Sequence, residues 1–120
     1  MARAVIDVRL LAAFAVSVDG TQAGPWGRPY AKRLVQLLTL RSGHLIGREE
    51  LAATLFPDLR PDRAANSVSK ALTLARRALE RTGQPVLAAD RNSIWIADGI
   101  EVQTDLERAH DLLRAALALP

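Results

Sequence analysis

Residues 62–81 read DRAANSVSKALTLARRALER, and the spacing of apolar residues within them organises the rest of the chain. At about 100° per residue, Ala65, Val68, Leu72, Ala75 and Leu79 fall on one narrow face, as in a helix packed on a core. The opposite side carries Arg63, Asn66, Lys70, Thr73, Arg77 and Arg81, with Ser69, Arg76 and Glu80 towards one flank. No acid lies on that outer line. The run predicts a helix about 30 Å long, opened by a capping Asp62 carboxylate and stopped at Thr82-Gly83. A B-DNA major groove admits such a helix: Arg and Lys donate to guanine or to phosphate, and Asn pairs with the adenine edge. An ordinary solvated helix has the same spacing, so the neighbouring elements have to separate the two readings.

Working towards the N-terminus, Pro57 and Pro61 bracket a loop of Asp58, Leu59 and Arg60. Before it, Gly47 stands where a helix cap falls, and Glu49 and Glu50 suit the positive end of a helix dipole. Leu51, Leu55 and Phe56 supply the buried edge of this second helix. A first helix starts near Tyr30, with Leu34, Leu37, Leu38 and Arg41 at spacings of three and four and Gly43 as its stop. Gly24-Pro25-Trp26-Gly27, with Pro29, interrupts regular structure ahead of it. Residues 4–12 and 14–18 are rich in Val, Ile, Leu and Phe and end at the turn pair Asp19-Gly20, which predicts short strands of an N-terminal antiparallel sheet.

Towards the C-terminus, residues 85–89 and 93–97 read as two strands of a hairpin with Asp90-Arg91-Asn92 at its tip. Residues 105–119 return to helical spacing, with Leu106, Ala109, Leu112, Leu113, Ala116 and Leu117 on one side. Three helices followed by a hairpin with a basic tip is the order a winged helix needs. The expected fold is therefore α+β, a winged helix-turn-helix over residues 1–98 followed by a C-terminal helix over residues 99–120. Arg91 and Asn92 are the wing's candidate contacts.

Composition narrows the function classes. With 120 residues, 49% of them hydrophobic and 24% charged, the chain suits one domain with a packed core. It has no cysteine, which excludes disulfides, cysteine-based zinc sites and thiol nucleophiles. The longest apolar runs fall far short of the ~20 residues that span a bilayer, and Asp7 and Arg9 break any signal-peptide core. A cytoplasmic protein without membrane association is expected. Residues 1–97 hold 14 basic and 8 acidic residues, against 2 and 5 in residues 98–120. The cationic body suits an anionic partner such as nucleic acid.

Residues 8–20, the helix ending at Gly43, Arg48-Glu49-Glu50-Leu51, Phe56-Pro57-Asp58, Ala65-Asn66-Ser67-Val68, Ala71-Leu72 and Arg76-Arg77-Ala78-Leu79 together resemble the N-terminal domain of the SARP family of antibiotic regulatory activators. The likeness covers nearly the whole chain. It implies an OmpR-type winged helix whose third helix enters the major groove and whose wing reaches the flanking backbone or minor groove. It also implies that the loop holding Phe56, Asp58, Leu59 and Arg60 faces RNA polymerase, and that binding on DNA is tandem or dimeric. Thr104-Asp105-Leu106 resembles the junction with that family's helical activation domain, so the last helix either packs on the winged-helix body or opens such a domain in a longer chain, the second reading being favoured. Ser69 and Leu74 stand where the family commonly has basic residues, and Ile94-Trp95-Ile96 replaces its usual Gly-Tyr motif. Leu74 is open to two readings, contact with a thymine methyl or the mark of a protein-binding version of the fold. Trp95 reads as a packing residue.

Signals for catalysis are weak. His44 and His110 have no spacing that suggests a shared metal, Glu49 and Glu50 point in different directions from one helix, and the glycines lack the strand, loop and lysine of a phosphate cradle. The acids Asp98, Glu101, Asp105, Glu107 and Asp111 read as solvated surface. The sequence thus points to double-stranded DNA as partner, with no cofactor. Asn66, Lys70, Thr73 and Arg77 are directed to base edges, and Arg63, Arg76, Arg81 and Arg91 mainly to phosphates. The competing reading is a protein-interaction module anchored by Leu74 and Trp95.

Overall fold

Strand alternation builds the first layer. In β1 (Ala4–Arg9), Ala4, Ile6 and Val8 are buried while Val5, Asp7 and Arg9 face outwards, and β2 (Ala15–Val18) buries Val16 and Val18 the same way. The structure is a computed structural model that describes residues 4–9, 14–80, 83 and 85–118. The part of the first expected strand at residues 10–12 lies outside the described residues. β1 and β2 pair antiparallel as expected, and a short β3 (Thr21–Gln22) extends them through the Asp19-Gly20 turn. Asp19 fastens that turn, its carboxylate accepting from the Val5 N–H at 2.8 Å.

Three helices pack beneath this sheet: α1 (Pro29–Leu40), α2 (Arg48–Leu55) and α3 (Pro61–Leu79). Pro29 opens α1 rather than interrupting the chain before it, because the N–H that proline lacks has no intrahelical partner at that position. α1 buries Ala31, Leu34, Val35 and Leu38. Its end is sealed by His44, whose Nδ1 donates to the Leu38 carbonyl at 3.1 Å, so this histidine has a structural task. Gly43, at φ 80°, makes the turn from which β4 (Leu45–Gly47) emerges. Gly47 is the N-cap of α2, and Leu51 is its buried anchor; Leu55 and Phe56 are half-buried.

Two readings of α3 need correction. Asp62 does not cap it: Arg60 is the N-cap residue, makes no side-chain cap bond, and Pro61 takes the first helical position. Asp62 then sits inside the first turn, where its charge favours the helix dipole. The buried stripe starts at Ala64 and continues through Val68, Ala71, Leu72, Ala75, Ala78 and Leu79, leaving Ala65 exposed. The helix closes at Glu80, and Arg81 lies outside the described residues.

A second sheet, of order β4-β6-β5, is formed by β4 with the hairpin of β5 (Leu87–Ala89) and β6 (Ser93–Ile96). Ile46, Leu87, Ile94 and Ile96 point into the shared core. Beyond it, β7 (Ile100–Thr104), in a stretch without an expected strand, returns to the first sheet and pairs parallel with β1, Ala4 opposite Ile100 through Val8 opposite Thr104. The N-terminal sheet is therefore mixed rather than antiparallel. Thr104 then caps α4 (Asp105–Leu117), its buried hydroxyl accepting from the Glu107 N–H at 2.9 Å. Arg108 ties the first turn of α4 to Asp7 and Gln103. Past that turn the helix leaves its apolar side uncovered, with Leu112 72% and Leu117 76% exposed.

The Gly24-Pro25-Trp26-Gly27 loop lies along α3. Gly24 N–H donates to the Ala78 carbonyl at 3.2 Å, satisfying one of the acceptors that a helix end leaves open. Gly27 has φ +79°, and a Cβ there would stand 3.1 Å from a Leu74 methyl. Gly27→Ala is expected to lower stability by about 1–2 kcal/mol, the cost of a left-handed backbone for a residue with a side chain. Urea unfolding of the two proteins checks it, and equal midpoints would refute the packing.

Candidate nucleic-acid interface

The buried stripe of α3 dictates what its other side can offer. With Val68, Ala71, Leu72 and Ala75 turned inwards, Arg63, Asn66, Lys70, Thr73 and Arg77 are all exposed and Arg76 lies half-buried on the flank. The two sides of the helix are thus chemically distinct: an inner stripe of small and apolar groups, and an outer line of donors. Thr73 departs from the expected role in one respect, since its hydroxyl donates back to the Ser69 carbonyl at 3.0 Å. Its oxygen remains an acceptor, but its proton is already used.

Leu74 is half-buried against the core and against Gly27. It also borders a shallow groove with Tyr30, Ser69, Lys70, Thr73 and Arg77. A larger groove of about 600 Å³ runs between α2 and the N-terminal half of α3. Asn66, Ser69, Arg48 and Arg91 contribute to it, and the loop residues Phe56, Pro57 and Leu59 form part of its wall. The fold therefore brings the hairpin tip and the N-terminal half of α3 to one groove, although 25 positions separate Asn66 from Arg91 in the chain. In the loop, Asp58, Leu59 and Arg60 are exposed, while Phe56 is half-buried and packs edge-on against Tyr30 at 5.4 Å between ring centres.

The tip is held by Asp90. Its carboxylate oxygen accepts from the Asn92 N–H at 2.8 Å and the Ser93 N–H at 2.7 Å, and its own N–H donates to the Ser93 carbonyl at 3.0 Å. Arg91 and Asn92 stand exposed on this turn. Arg48, which the sequence offered only as part of a motif, reaches the same turn: its Nε donates to the Asp90 carbonyl at 2.8 Å and its backbone N–H to the Asn92 carbonyl at 2.8 Å. Nothing local in the sequence signals a partner 42 residues away. Trp95 is half-buried in β6 opposite Leu45 and Ala88, a sheet residue rather than part of the tip.

Among the described residues there is no cluster of His, Asp or Glu able to hold a metal, and no helix is long and apolar enough to cross a membrane.

No family model and no curated protein matches the chain. Among solved structures, Mycobacterium tuberculosis EmbR, in complex with a low affinity phosphopeptide, has a TM-score of 0.64 to it at 22% sequence identity. The match covers 81% of this chain and 27% of that one. The chain thus shares its mixed α+β fold with part of EmbR and spans 27% of EmbR's length.

The Asp90 carboxyl is held below its ordinary value of 3.8, first by the Asn92 N–H, then by the Ser93 N–H, with a further contribution from the nearby Arg48 charge. A lowered folded value means that its contribution to the tip is complete above the ordinary value and is lost as pH falls through the folded one. Amide protection at Asn92 and Ser93, followed by hydrogen exchange from about pH 6 to pH 2, is expected to collapse at the acid end. In Asp90→Ala the protection should be low throughout; an unchanged profile in that variant would refute the Asp90 closure.

Proposed function

We propose that the chain is a winged helix-turn-helix of OmpR type that binds double-stranded DNA sequence-specifically in bacterial transcription regulation. In this reading α3 lies in the major groove, with Asn66, Lys70 and Arg77 towards base edges and Thr73 offering an acceptor. Arg63, Arg76 and Arg81 meet phosphates, and the tip with Arg91 and Asn92 reaches the backbone or minor groove. The observation that carries the reading is the exposed, acid-free outer line of α3, whose Asn66 shares one groove with Arg91 of the hairpin tip. The shared fold with EmbR, a SARP-family regulator, supports it.

The exposed loop residues Asp58, Leu59 and Arg60, with Phe56 behind them, are the surface proposed to meet RNA polymerase. Tandem or dimeric binding on DNA, a cytoplasmic location, and α4 as the opening of a further helical domain complete the proposal. A protein-binding use of the same fold has less behind it, because Leu74 is already packed on Gly27.

Lys70→Ala/Arg77→Ala is expected to weaken binding to a duplex selected from a random pool by about tenfold or more, since each lost base contact removes about 1–3 kcal/mol of discrimination, whereas Arg63→Ala/Arg76→Ala is expected to flatten the salt dependence, since each lost phosphate contact removes ~0.9 from the log–log slope. Fluorescence anisotropy at two salt concentrations measures both. Unchanged affinity and slope would overturn the assignment.

A further inference from the structure

Arg48 stands at the first position of α2, yet its contacts lie elsewhere. Its backbone N–H and its Nε hold the carbonyls of Asn92 and Asp90, the two residues on either side of Arg91. Its Nη1 lies 3.5 Å from the Ser69 hydroxyl, on the exposed side of α3 between Asn66 and Thr73. One side chain therefore spans the hairpin tip and α3. A planar guanidinium fixes the direction of its donors, whereas a lysine ammonium at the end of a flexible stem does not. Because Asp90 and Asn92 flank Arg91, holding their carbonyls sets the stretch of backbone from which the Arg91 side chain departs.

We propose that Arg48 is a positioning residue that fixes the hairpin tip against α3, so that Arg91 meets DNA in a set register with the groove-reading line. The proposal rests on the DNA-binding reading for its consequence, but its structural content concerns the protein alone. Arg48 acts through Arg91 and Asn92, and Ser69 is the point of α3 against which the tip is referenced. This also gives Ser69 a use: a small hydroxyl leaves room for the Arg48 guanidinium where a long basic side chain would compete for the same space.

The test is a cycle of variants on the intact chain. The probe is a duplex that the wild-type chain selects from a random pool. Arg48→Ala is expected to lose roughly five- to tenfold in affinity at about 0.1 M salt, the effect of one lost phosphate contact. In an Arg91→Ala/Asn92→Ala background the same substitution should cost less than about twofold, because the groups it positions are gone. Hydroxyl-radical footprints should lose flanking protection and keep the centre. Arg48→Lys should fall between wild type and alanine. Equal losses in both backgrounds would mean a direct phosphate contact and overturn the proposal, as would no loss in the wild-type background.

Amide exchange at Asn92 and Ser93, whose N–H groups are bonded within the tip, separates this inference from the DNA reading in the free protein. Faster exchange in Arg48→Ala and Arg48→Lys, with unchanged thermal midpoints, supports the positioning role even if no duplex is selected, in which case only the DNA reading fails. Unchanged exchange in both variants overturns the positioning role whatever the DNA result.

Discussion

Ala71 and Ala75 are fully buried at the centre of α3, and the close approach they allow between this helix and its neighbours fixes most of what surrounds it. α1 and α2 both pack on α3, and the loop before α1 adds Gly24 against Ala78 and Gly27 against Leu74. Larger groups at the alanines would displace neighbouring elements, because interiors at crystal-like density have little room to absorb extra volume. The same packing that buries the inner stripe presents the outer line to solvent. Position in the core and chemistry on the surface are two consequences of one helix period.

The two sheets extend this arrangement in different ways. The second sheet places the hairpin beside α2, and Arg48 and Asp90 turn that proximity into a defined tip. The first sheet joins the ends of the described chain: β7 pairs with β1, Thr104 caps α4, and Arg108 meets Asp7 across 101 positions. α4 is thus anchored at its first turn, while its leucines beyond that turn remain uncovered. The contrast with α3 is instructive. Both helices are amphipathic, but among the described residues the leucines of α4 beyond its first turn stand exposed, whereas the apolar side of α3 is covered by α1 and α2.

Local signals carried the helices well. The apolar period of residues 64–79, the Gly47 cap and the acids of α2 are all legible because the physics that sets them operates within a turn or two. Ala64 and Ala65 could not be told apart, since adjacent alanines give the helical period nothing to weigh. Asp62 has the chemistry of a cap, but Pro61 takes the first helical position and draws the helix start back by one residue, so Asp62 falls inside the first turn. β4 is a three-residue strand, and its only assurance is its pairing with β6. β7 alternates weakly, and its parallel partner lies at the other end of the chain. The candidate interface divides in the same way: exposure of the α3 line follows from periodicity, whereas Arg48 depends on a contact formed only once the hairpin is in place.

On the proposed reading, the outer line of α3 and the hairpin tip form one DNA-reading surface. The most direct measurement is a titration of isotopically labelled protein with a selected duplex, following amide and side-chain resonances. Perturbations should gather at Asn66, Lys70, Thr73, Arg77, Arg91 and Asn92 and spare β2, β3 and the far half of α4. Perturbations concentrated on the exposed leucines of α4, or on the Leu45 and Trp95 face of the second sheet, with α3 silent, would contradict it.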